Sequence, residues 1–106
     1  MSNVKKQPLK VSDIVVKKIQ SIDAEVAVPS GEEYPVGTPL TSNDGGKTFS
    51  KAVDADNVVV NGILCEILDA SGVANVLVTG TVVAKHIPDM TDRMRKSAFE
   101  NKIILK

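Results

Sequence analysis

The chain has 106 residues, 42% of them apolar and 25% charged, with 13 basic and 13 acidic side chains in balance. That is one domain's worth of chain, too apolar to remain disordered. The charge is uneven: residues 1–20 carry Lys5, Lys6, Lys10, Lys17 and Lys18 against Asp13, whereas residues 21–70 hold nine acids against Lys47 and Lys51. A body of that sign repels phosphate, which argues against binding nucleic acid through the whole domain. Tyr34, Phe49 and Phe99 are the only aromatic residues. The core is therefore expected from Val, Ile, Leu and Ala, and the abundance of valine favours strands.

Two regions are predicted: an N-terminal arm or extension over 1–20 and a compact body over 21–106. Two conformations suit the arm. Positions 11, 14, 15, 18 and 22 share one helical face, interrupted by Lys18, with Ser12 as a possible cap. Alternatively, the β-branched run Ile14-Val15-Val16 makes Asp13–Ile19 an extended segment.

The body reads as mainly β with one C-terminal helix, an α+β class. Glu25–Val28 is a short strand ending at Pro29, and Ser30–Glu33 is a loop. Tyr34–Leu40, with Pro35, Gly37 and Pro39, is an irregular or edge segment. Asn43-Asp44-Gly45-Gly46 between Thr41–Ser42 and Lys47–Val53 is a hairpin signal. Asp54–Asn57 is the next loop. Val58–Val60 and Ile63–Leu68 are apolar enough for central strands, with Asn61-Gly62 as a turn or a kink between them. Asp69–Gly72 is a turn. Val73–Val78 and Thr81–Ala84 follow, with a bulge expected at Gly80. A helix starts near Met90, capped by Asp89 or Thr91 and stopped by Asn101. Met90, Met94 and Ala98 share its apolar face with Phe99 beside it, and Arg93, Arg95 and Lys96 occupy the other side. Ile103-Ile104-Leu105 is a final strand.

Signals for chemistry are weak throughout. His86 and Cys65 are each alone of their kind and far apart, so no zinc spacing exists. Asp54-x-Asp56 lacks the glycine and glutamate that would continue a calcium loop, so a solvated turn is expected. No glycine-framed serine marks a nucleophile. Gly46-Lys47-Thr48 ends like a phosphate loop, but Thr41 stands where the first glycine belongs. Ser42-x-Asp44-x-Gly46-x-Thr48-Phe49 resembles an Asp-box, in which the carboxylate satisfies backbone donors across a hairpin turn. Cys65 lies in the apolar run Ile63-Leu64-Cys65, where a buried reduced thiol is expected. There is no signal peptide and no stretch of the roughly 20 apolar residues that span a bilayer, which leads us to expect a soluble protein made in a cytoplasm. The expectation is a non-enzyme with no catalytic residues, metal or cofactor.

The order of parts in the second half is Gly37-Thr38-Pro39-Leu40, a short strand after Gly45-Gly46-Lys47, and Asn61-Gly62-Ile63-Leu64. Val76-Leu77-Val78, Thr79-Gly80-Thr81-Val82, Pro88 and Asp92-x-x-x-Lys96-x-Ala98-Phe99 follow, before Ile103-Ile104-Leu105. Over roughly residues 36–106 this order resembles the lambda-like phage head decoration proteins; order and spacing carry the likeness, and no single motif is specific. The resemblance implies a small β-rich fold, a homotrimer and binding at three-fold or quasi-three-fold sites on the outer surface of the expanded virion capsid. It implies as partners the major capsid protein and the chain itself, with no direct nucleic acid and no membrane. It also implies an N-terminal segment that orders on the shell and pairs with capsid strands. Here that segment departs from the family pattern, being lysine-rich with an apolar run. Leu9, Val11, Ile14 and Val16 are the candidates for strand pairing, and Lys5, Lys6 and Lys10 for steering toward acidic capsid patches. The alternative is another phage structural module, a tail-tube, baseplate or head-fibre β-domain.

Overall fold

The structure, a computed structural model, describes residues 15–83, 87 and 90–106. Among these residues, six strands and one helix follow in order: β1 (Val15–Val26), β2 (Pro39–Thr41), β3 (Thr48–Lys51), β4 (Gly62–Leu64), β5 (Gly72–Val82), α1 (Asp92–Glu100) and β6 (Ile103–Leu105). The class is mainly β with one short helix. The sheet runs β1-β3-β2-β4-β5, and β5 pairs back onto β1, so five strands close into a barrel. β6 is added outside that ring, parallel to β5.

The closing seam is the long antiparallel pair β1–β5, from Val15↔Val82 to Val26↔Gly72. It settles the two conformations open to the arm: from Val15 onward the chain is strand. The expected division at 20/21 falls inside β1, so the strand joins what the sequence separates. The reason is non-local, because Lys17, Lys18 and Gln20 break the apolar pattern while their backbones pair with Thr81, Gly80 and Thr79. The register slips at three places, leaving Val16 and Ile19 on β1 and Val78 on β5 as extra residues. The bulge expected at Gly80 is thus carried mainly by the strand opposite it.

Successive side chains of a strand point to opposite faces. In Ile63-Leu64 and Val76-Leu77 both members of each pair are fully buried. Leu64 and Val76 face the barrel interior, packed with Val26, Leu40 and Phe49. Ile63 and Leu77 face the other way, into a second core with Met94, Ala98 and Ile103. The β4–β5 strip is therefore apolar on both sides because α1 and β6 cover its outer face. Gly62 is required on this strip: a Cβ there would stand 2.7 Å from Val76 Cγ1 and 2.8 Å from Phe49 Cε2.

Two expected central strands differ. Val58–Val60 is not a strand: the Val60 N–H donates to Ser97 Oγ of α1 at 2.9 Å, and Val60 is buried in the core with Met94 and Ala98 of that helix while Val59 is exposed. Ile63–Leu68 shortens to β4, after which Cys65 N–H still reaches Asn75 O and Leu68 bridges Tyr34. Asn61 makes neither turn nor kink. Its side chain accepts from Ser42 N–H at 2.9 Å and donates to Ser42 O at 2.8 Å, continuing the β2–β4 pairing by other means.

The helix ends are local. Thr91 Oγ1 accepts from Met94 N–H, and the Asn101 N–H closes on Ser97 O and Ala98 O. Lys102 then takes φ 70°, the left-handed turn that sends the chain into β6.

Candidate functional site

Lys5, Lys6, Leu9, Lys10, Val11 and Ile14 lie outside the described residues, as does His86. Val16 is described by its backbone alone and sits at the first irregularity of β1, between Val15↔Val82 and Lys17↔Thr81. Val82 has Val15 on one side and Leu105 on the other. The start of β1 and the end of β6 therefore occupy the same end of the molecule, flanking β5.

The Asp-box stretch forms the β2–β3 turn. Asp44 Oδ1 accepts from the Ser42 hydroxyl at 2.8 Å and from the N–H groups of Lys47 and Thr48 at 3.1 and 2.9 Å, and Oδ2 accepts from the Thr48 hydroxyl at 2.6 Å. The Thr48 and Ser42 bonds favour the ionised form and hold this carboxyl well below the usual carboxylate range. Gly45 and Gly46, at φ 79° and 91°, supply the left-handed backbone the turn needs. Every acceptor is consumed locally, so this is a structural turn.

Asp54 and Asp56, expected in a solvated turn, lie in an exposed turn and are in addition both engaged by Arg93, at 3.1 and 2.6 Å. Thr91 Oγ1 also donates to Asp54 at 3.0 Å. The Arg93 and Thr91 hydrogen bonds lower the Asp54 pKa. The cluster ties the loop after β3 to the first turn of α1, a contact across 37 to 39 residues that no local pattern announces. Among the described residues, no three His, Cys, Asp or Glu side chains come together as a metal site. Cys65 is buried, with its thiol 3.6 Å from Ile63 O.

Two open apolar grooves remain. One, of about 510 Å³, lies where β1 ends and β3 continues, between Val28, Pro29, Tyr34 and Val53, with Lys51 Nζ 5.9 Å above the Tyr34 ring. The other, of about 330 Å³, lies between α1 and β6 and is floored by Phe99, Ile104 and Leu105. Phe99, expected beside the buried face of the helix, is 66% exposed here. Neither groove brings a nucleophile against a base.

Comparison with family models, with curated proteins and with solved structures found no match.

Proposed function

We propose that this chain is a phage capsid decoration protein: a homotrimer that binds the outside of the expanded head and stabilises the shell against internal DNA pressure. The observation that carries the reading is how the barrel closes. Among the described residues, the ring closes through the β1–β5 pair from Val15 onward. In this reading the cationic, partly apolar residues 1–14 ahead of that pair are the segment that meets the capsid. The order of sequence parts that resembles the decoration proteins supports the same reading, as do the exposed apolar side chains of Val53, Val73, Ile19 and Phe99.

The physical mechanism is strand addition under avidity. Ordering a free arm costs about 1–2 kcal/mol per residue in backbone entropy. Main-chain pairing with a capsid strand edge offsets that cost, with Leu9, Val11 and Ile14 as the pairing residues; Val16, the fourth candidate, already belongs to β1. Lys5, Lys6 and Lys10 speed encounter with acidic patches. Three arms on one trimer raise the effective concentration of the second and third contacts.

The test is co-sedimentation with expanded heads of the full chain and of a variant lacking residues 2–14, a cut placed before β1. The full chain is expected to sediment with the heads, and the variant to stay in the supernatant while keeping its far-ultraviolet circular dichroism. Light scattering is expected to give three times the chain mass for each protein, that chain mass being 11.3 kDa for the full chain and smaller for the variant. A truncated protein that still binds overturns the arm's role, and a stable hexameric ring favours a tail or baseplate module.

A further inference from the structure

The outer edge of β6 and the last turns of α1 form a surface that the fold does not use. β6 lies parallel to β5, with Gly80↔Ile103, Thr81↔Ile104 and Val82↔Leu105 in register. The Gly80 N–H donates to Lys102 O at 3.3 Å, and the Lys106 N–H to Val82 O at 2.9 Å. Alternate residues of a parallel strand address one neighbour, so 102, 104 and 106 serve β5 and the amides of Ile103 and Leu105 face away. Among the described residues no strand pairs with that outer edge.

The groove beside this edge is lined by Arg95, Lys96, Phe99, Ile104 and Leu105. Its floor is apolar, and Arg95, Lys96, Lys102 and Lys106 are exposed. Among the described residues neither Arg95 nor Lys96 is in an ion pair; the guanidinium that is paired belongs to Arg93. Glu100 does not line this groove, although it shares another hollow with Lys96, Asn57 and Arg93. A strand edge, an apolar floor and a basic rim thus occur together.

We propose that this edge is a docking site for an extended acidic segment of a partner protein, which adds to the sheet as a strand beside β6. Its backbone pairs with Ile103 and Leu105, an apolar side chain covers Phe99 and Ile104, and its carboxylates meet Arg95 and Lys96. Charge selects this occupant over a second copy docking the same surface on itself, which would oppose like charges. The inference does not depend on the capsid reading, although the site lies at the same end of the molecule as the start of β1.

The test is a nuclear magnetic resonance titration of the full chain with a short synthetic peptide alternating glutamate and valine. Saturable shifts are expected at Phe99 and across 102–106, with amide exchange slowed at Ile103 and Leu105. The double variant R95E/K96E, altered only at exposed positions, is expected to bind about tenfold more weakly or worse. The proposal is overturned by any of three results: no saturable change up to millimolar peptide, equal binding of a lysine–valine peptide, or occupation of the site by oligouridylate in place of the acidic peptide.

Discussion

Asp44 concentrates the β2–β3 turn in one carboxylate. Because hydrogen bonds from Thr48 and Ser42 depress its folded pKa below the unfolded value, its contribution is fully present above about pH 4. It is lost as pH falls below that, through the folded pKa. Asp44→Ala should therefore lower the thermal midpoint by a few degrees at pH 7, and the gap to wild type should narrow in acid; a gap constant down to pH 2 would contradict this. Ser97 is a second local anchor, since its hydroxyl is the acceptor for a buried Val60 N–H. Ser97→Ala leaves that donor unsatisfied at a cost of about 1–3 kcal/mol, readable as a lower urea midpoint. Gly62→Ala must push a methyl against Val76 and Phe49, both buried, and should cost about 1–3 kcal/mol by overpacking. The turn and the helix caps were legible in the sequence because their chemistry spans four residues. The Ser97–Val60 and Arg93–Asp54 contacts were not, because nothing local marks either partner until the fold brings the other to it from 37 to 39 residues away.

At the scale of elements, legibility follows the same line. The β2–β3 hairpin, α1 and β6 stand where turn residues, capping residues and a short apolar run place them. β1 reaches back to Val15, far before Glu25, because its first half, where Lys17, Lys18 and Gln20 break the apolar pattern, is held by backbone pairing to β5, which periodicity cannot register. Val58–Val60 misleads in the opposite direction: α1 buries Val60 without a ladder, and Val59 is exposed. The α1–β6 groove was hidden for a related reason. Phe99 sits beside the helix's apolar stripe, but β6 returns to β5 and takes the place against the core with Ile103, leaving Phe99 at the surface. Leu77, buried between β5 and the helix, tests this double-faced packing. Leu77→Ala should cost about 2–5 kcal/mol, and a loss under 1 kcal/mol would mean that the second core is not close-packed.

At the scale of the whole molecule, the long seam β1–β5 closes the described barrel by joining residues 46 to 67 apart in the chain. The proposed role adds docking to that frame, through the cationic leading segment and the basic, apolar edge of β6. On a lattice, binding that favours the expanded shell over the disrupted one stabilises the shell by linkage. The most direct measurement is the thermal disruption of expanded, DNA-filled heads, stripped of this protein and then reconstituted with it. The account predicts that saturating protein raises the temperature of genome release and that the chain lacking residues 2–14 does not. Heads that release their DNA at the same temperature with and without the full-length chain would contradict it.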